Sequence, residues 1–533
     1  MKKNIGKYLL MATLLSSTAF LSSCDNDLVE INENPNNPSV APTSAIFNGA
    51  SRYLMQNIRD TWWSARMSLP WMQYVAQLNY TEEDKYQYRD NQTTNYWIAI
   101  YRANLNFKDI IQRCEDPKYS AQMAQYGNLK NQIAVSRIMM AFAYDELVTH
   151  FGDVPYWSYG GKSNPDFQAL QIDEFPAPKY VSQEIIYADI LKELSEASDQ
   201  LVLDEKVFTE GDNIYNGDAV KWKKFANSLR LRIANRVKDK LPIAKSHITD
   251  AIADGVFKSN DDNAIQAFGT TSAEGSPFWA SYFTGDKRTD FAMNNQFIKL
   301  LKGQSDKNYG VDPRLQAFAA PIGLRTDQVY PASYKDSDNI ADYVGMPYGL
   351  PAELLEANQD SEKLSFASKN VMRPDFGEVL MEYAEVEFIL SEINGWNQAN
   401  YTAGVQASMD RWGVEKTKSA AYIATLPSAT QENVITQKYI ALFMQGTEAW
   451  NEYRRTGFPN GGVLLLPGKS TTDINGKTYI FEPLMSGNVE AIDLPARVRY
   501  PITQATLNET NYNAAKAKLS NGDEIDSKLF FAK

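Results

Sequence analysis

A chain of 533 residues with 65 acidic and 53 basic side chains carries a formal charge of −12, which repels phosphate backbones and excludes nucleic acid as a partner. Two cysteines and two histidines exclude a disulfide-built scaffold and any paired Cys/His zinc motif. The length supports a large buried core, and 12% aromatic residues supply rings for that core or for flat ligands such as sugars.

The N-terminus opens with Lys2, Lys3 and Lys7, followed by an uncharged apolar run of 14 residues from Tyr8 to Leu21. A run this short falls below the ~20 residues of a membrane-spanning helix and has the build of a secretory signal. It ends in Leu21-Ser22-Ser23-Cys24, a lipobox: small residues admit the peptidase, and the Cys24 thiol accepts a diacylglycerol. Residues 1–23 are therefore expected to be removed as a signal peptide and Cys24 to become a lipidated N-terminus. Several acyl chains at ~0.8 kcal/mol per buried methylene hold far more firmly than one myristoyl group. Removal takes away three lysines and no acids, moving the charge from −12 to −15. It leaves Cys114 as the one free thiol. Residues 24–44, rich in Asn, Pro and Ser, form an extended tether. The acidic Asp25 and Asp27 beside the lipid point to sorting to the cell surface.

Beyond the tether, residues 45–533 are expected to form a single, mostly α domain. Helices are predicted near 45–59, 94–112, 180–201 and 218–238, the last opened by Asn216-Gly217-Asp218. Ile133, Met140, Tyr144, Leu147 and Phe151 mark another, ended by Gly152 and Pro155. Between about 257 and 375 the periodicity fades and Gly, Pro, Ser, Asp and Tyr predominate, which predicts a loop-rich insertion with a functional role. Helical spacing returns at 378–456, with Val379, Tyr383, Val386, Leu390 and Ile393 in one stretch. Ile435, Tyr439, Leu442, Gly446, Ala449 and Tyr453 predict a continuous helix from Gln431 to Arg455. A short hairpin is expected near 461–482.

Catalytic constellations are missing from the sequence. There is no His-Glu-x-x-His, no Gly-x-Ser-x-Gly and no phosphate-binding glycine loop. His150 is read as closing a helix and His247 as a surface residue. Glu382, Glu385 and Glu387, stepped by three and two, do not share one helix face and are read as solvated or salt-bridged. Asn260-Asp261-Asp262-Asn263 is oxygen-rich but lacks the glycine and terminal Glu of a calcium loop. No metal or cofactor is expected. Aromatic clusters are the remaining chemical signal. Trp62, Trp63, Trp71 and Tyr74 lie close to Tyr80 and Tyr86, and Trp71 with Tyr74 has core spacing. Phe278, Trp279 and Tyr282 fall in the Gly/Ser-rich insertion, where an indole can stack on a sugar ring. The expected ligand contacts are Trp279 and Tyr282 first, then Phe278, Tyr343 and Tyr348, with Trp63 and Tyr80 behind them.

Taken in order, several motifs give the chain a resemblance to the SusD/RagB family of outer-membrane nutrient-binding lipoproteins. They are Asp27–Pro38 with Asn-Glu-Asn-Pro-Asn-Asn-Pro, Trp97-Ile-Ala-Ile-Tyr101 with Asn104, Phe151-Gly-Asp-Val-Pro-Tyr156, and Asp312-Pro-Arg-Leu315. Tyr383–Glu392, Ile440–Arg455 and Arg499-Tyr-Pro501 complete the set. The resemblance implies a tetratricopeptide-like scaffold of helix pairs with loops forming the ligand face. It also implies a partner, a SusC-like TonB-dependent transporter over which the protein sits as a hinged lid, and a place on the outer membrane facing outward. The family's ligands span glycans and peptides. The expected function is non-catalytic capture of an oligosaccharide or other oligomeric nutrient for that transporter. A surface glycoside hydrolase and a helical-repeat scaffold for proteins are the alternatives.

Overall fold

The computed structural model describes residues 40–533 apart from 88, 285–289, 308, 324–329, 331–333, 461 and 486–488. The signal segment, Cys24 and all of the tether before Val40 lie outside the described residues. From Thr43 the chain builds α1 (Thr43–Ile58), α2 (Asp90–Glu115), α3 (Leu129–Phe151), α4 (Gln183–Gln200), α5 (Ala219–Val237) and α6 (Ala244–Asp254), each packed on the next. This is the helix-pair stacking of a tetratricopeptide-like scaffold.

The third of these helices shows why the stack holds. The Asn128 side chain caps it by accepting from Asn131 N at 3.1 Å, and Gly152, at φ 94°, ends it. Every residue from Asn131 to Phe151 is buried, so the helix has no solvated face and each of its polar residues needs a partner inside the protein. Gln132 donates to the carbonyls of Met123 and Gly127, while Arg137 forks onto Glu193 of α4 at 2.9 and 3.0 Å. His150 is fully buried with Nδ1 2.5 Å from the Glu146 carbonyl, which places it in the core, not at a solvated helix end. Burial, and secondarily Arg454, holds its pKa well below the usual value.

The insertion leaves and returns through one pair of strands, β2 (Ala264–Gln266) against β4 (Glu378–Met381), antiparallel. A second pair ties it to the N-terminal half: β1 (Val75–Gln77) runs antiparallel to β3 (Phe291–Met293), with Ala76 opposite Ala292. The insertion also contains α7 (Pro277–Phe283) and α8 (Asn295–Leu301), so the irregular stretch expected around Phe268–Tyr282 contains a helix. Ser276 Oγ caps α7 by accepting from Trp279 N, and Pro277 occupies its first turn. The Ser-Pro pair was a helix start hidden among residues that favour loops.

Helices return as α9 (Tyr383–Ile393), α10 (Gln398–Arg411), α11 (Lys416–Thr425), α12 (Gln431–Ala441) and α13 (Gly446–Thr456). The single helix expected over 431–455 is broken between α12 and α13, where Met444 takes φ 69°. A β-carbon at Gly446 would lie 2.7 Å from the Leu69 backbone nitrogen, so α13 starts against the N-terminal half and bends away from the line of α12. The expected hairpin forms from β5 (Ser470–Thr472) and β6 (Thr478–Ile480).

A buried ionic junction joins the two helical halves where α9 packs on α5. Arg236 of α5 meets Asp145 of α3 and Glu448 of α13, each at 2.6 Å. Arg232 forks onto Glu385 of α9, Lys438 of α12 reaches Glu452 at 3.1 Å, and Arg455 bridges Glu392 and Glu452 at 2.6 and 2.8 Å. Glu385 is thus salt-bridged as the sequence reading allowed. Glu382 accepts from Arg411 and Gln445, and Glu387 from Asn400. Burial opposes ionisation of Glu392, but Arg455 and Lys238 outweigh it and hold that carboxyl at about 2.

Candidate functional site

The segment between α1 and α2 carries the most exposed aromatic chemistry. Asp60 Oδ1 accepts from the backbone amides of Trp62 and Trp63 at 3.1 and 2.6 Å, forming a tight turn that sends two neighbouring indoles in different directions. Trp63 turns inward, is 2% exposed, and stacks on Tyr96 of α2 at 3.9 Å. Trp62 turns outward and is 42% exposed. Tyr80, 55% exposed, joins it; among the described residues these are the two large aromatic side chains that face solvent.

Both rings rest on one cation. The Arg66 guanidinium carbon lies 4.9 Å from the Trp62 centroid and 5.7 Å from that of Tyr80, so the two rings belong to one patch. Arg66 is itself buried, held by Glu83 at 3.5 Å and Asp290 at 3.8 Å. Cation–π contact fixes each ring from beneath without adding a flexible side chain to the surface. Arg89 approaches Tyr80 at 6.0 Å.

The backbone under Tyr80 is strained, with φ 58°. The left-handed region costs an L-residue roughly 1–2 kcal/mol, and an exposed ring gives little burial in return. Neighbouring bonds impose the conformation: Leu78 N donates to the Asp290 carbonyl at 2.6 Å, and the Asn79 amide reaches the Asp290 carboxylate at 3.3 Å. Thr61 Oγ1 donates to Ser281 Oγ at 2.8 Å, so the platform is also fastened to α7 of the insertion.

Of the seven contacts expected from sequence, Tyr80 is the one that presents an open ring. Phe278 and Tyr282 share the inner face of α7, stacked at 5.2 Å, with the Tyr282 hydroxyl donating to the Phe291 carbonyl. Tyr343 exchanges hydrogen bonds with the Ser337 backbone, and Tyr348 packs on Phe481 at 5.1 Å. Phe278, Tyr282, Tyr343, Tyr348 and Trp63 are buried. Trp279, 9% exposed, lies at the edge of α7 against Gly275. Trp62, absent from the expected contacts, was missed because nothing local separates it from Trp63; its signal was the Asp60 turn that splits the pair. The oxygen-rich turn at 260–263 is a structural cap: Asp262 takes Lys224 Nζ at 2.7 Å and the Lys258 amide at 2.8 Å.

The segments that carry the family resemblance lie elsewhere, braced by buried hydrogen bonds. Tyr500 donates to the Asp153 carbonyl at 2.7 Å, Arg497 to the Phe151 carbonyl at 2.9 Å, and Arg454 to the Thr149 carbonyl at 2.6 Å. Arg314, buried, is held by Asp312 and Gln437.

The described residues thus form a helix-pair scaffold with an exposed aromatic pair on the face where inter-helix loops and insertion meet. The SusD-like family, described as starch-binding and associating with outer membrane, matches residues 35–481, and the chain belongs to that family. No curated protein matches the sequence. Solved structures with the same fold include a Bacteroidetes SusD-like protein (22% identity, TM-score 0.70, covering 93% of this chain and 100% of that one). A chitin-binding SusD homologue from Flavobacterium johnsoniae matches at 23% identity and TM-score 0.68, covering 91% of this chain and 98% of that one. A SusD homologue from Bacteroides uniformis matches at 22% identity and TM-score 0.68, covering 92% and 99%.

Proposed function

We propose that this protein is a non-catalytic, lipid-anchored nutrient-binding protein on the outer face of the outer membrane, which holds an oligosaccharide on Trp62 and Tyr80 and passes it to a SusC-like TonB-dependent transporter. The exposed ring pair pinned on Arg66 carries this reading. Aromatic faces suit the C–H surface of a pyranose, and rigid rings lose little entropy on binding. The starch-binding description of the family and the chitin-binding relative support a carbohydrate as the cargo. Lipid on Cys24, with removal of residues 1–23, supplies the anchor. The resemblance to the family implies a hinged lid over that transporter. Binding on such a lid raises the local concentration of cargo at the channel.

Calorimetry with maltohexaose and chitohexaose tests the cargo. Micromolar binding to either, without release of new reducing ends, is expected; turnover or no binding to any glycan sinks the reading. Cys24→Ser should release the protein from the membrane fraction, and pull-down of the native protein should bring a large barrel protein with it.

A further inference from the structure

Behind the platform lies a cavity of about 380 Å³ between the end of α1 and the outer face of α2. Asn57 of α1, Trp62 and Trp63 of the turn, and Asn91, Gln92 and Asn95 of α2 line it. Asn91, Asn95 and Ile98 recur at helical spacing, so one face of α2 forms its floor. Four of these side chains are neutral amides, and Asp60 and Arg102 are the charged groups on the lining.

Two lining residues, both more than nine-tenths buried, hold polar atoms with no hydrogen-bond partner: the Trp63 Nε1 donor and the Gln92 Oε1 acceptor. A buried donor and a buried acceptor left unmet are costly, and native proteins keep few of them. Sugar hydroxyls offer both kinds of partner, since a hydroxyl oxygen accepts from an indole N–H and a hydroxyl hydrogen donates to an amide oxygen. The neutral amides favour an uncharged polyol over an anion. At this volume the cavity stands at the small end of ligand pockets, which span ~300–1,000 Å³, a size that suits the end of a glycan. Trp62 lines both the cavity and the platform, which makes the two continuous.

We propose that this cavity seats the terminal sugar of the glycan whose following units stack on Trp62 and Tyr80, so that the protein recognises its cargo by a chain end. This rests on the carbohydrate reading above and adds end recognition to it. Asn91→Ala/Asn95→Ala, two exposed positions whose loss should leave the fold intact by circular dichroism, should weaken binding of maltotriose or chitotriose at least tenfold. Blocking the non-reducing or the reducing end of the same trisaccharide should weaken binding to the unmodified protein by a similar factor in one of the two cases. If the double variant binds the trisaccharide as tightly as the native chain while Trp62→Ala weakens binding, the cavity is not a subsite and the platform reading stands alone. If trisaccharides with both ends blocked bind as well as free ones, end recognition is overturned likewise. If the native chain binds neither glycan series, the carbohydrate reading falls together with this one.

Discussion

Two buried arginines show how one side chain serves two different ends. Arg236 sits at the helical junction with carboxylates at 2.6 Å on either side, a tight pairing among three helices. Arg66 sits beneath the platform with carboxylates at 3.5 and 3.8 Å, a looser pairing that leaves its faces for Trp62 and Tyr80. At the junction the guanidinium is consumed by structure. Beneath the platform the same group is held by the interior and in turn holds two rings at the surface. Order at this exposed aromatic surface is thus supplied from inside the protein.

The comparison is broken most severely at the junction. Arg236→Ala leaves Asp145 and Glu448 buried and unpaired, and should cost about 3–5 kcal/mol in urea unfolding, while glycan affinity per folded molecule stays unchanged. At the platform the pattern reverses. Trp62→Ala and Tyr80→Ala should each weaken binding by about 2 kcal/mol, roughly 30-fold by calorimetry, with stability changed by no more than about 0.5 kcal/mol.

A pH-dependent effect separates a buried carboxyl that is paired from one that is not. Burial pushes the Glu378 carboxyl up to about 8, against a weaker pull downward from Arg59. Between pH 4.5 and 8 the unfolded chain has released this proton while the folded chain retains it, so Glu378 makes stability fall as pH rises through that window. Glu378→Gln should flatten that part of the pH profile. Glu392 acts in the opposite sense: held at about 2, it contributes stability that is present above its unfolded value near 4.5 and is lost as pH falls toward 2. The smallest change is expected of Lys162→Ala. Its bridge to Glu115 at 3.3 Å is half-exposed, and thermal unfolding should register at most about 0.5 kcal/mol.

Much of the scaffold was legible because helices with a buried stripe write their period into the chain. The helices expected near 94–112, 180–201 and 218–238 stand at Asp90–Glu115, Gln183–Gln200 and Ala219–Val237. The break within 431–455 was not legible: the apolar spacing continues across it, and the close approach of Gly446 to Leu69 that forces the bend comes from a distant part of the chain. The insertion misled for a related reason. Composition around Phe278 resembles a loop, yet Phe278 and Tyr282, four apart, pack inward once Ser276 and Pro277 start a helix.

By itself the sequence determined the helical class, the absence of familiar catalytic motifs and the resemblance to nutrient-binding lipoproteins, because periodicity and local motifs are properties of neighbouring residues. Which aromatic rings face solvent was decided only by the tertiary structure. Exposure depends on what the rest of the chain leaves uncovered: Trp62 and Trp63 are adjacent and chemically identical, and the packing of α2 against one of them leaves the other facing solvent.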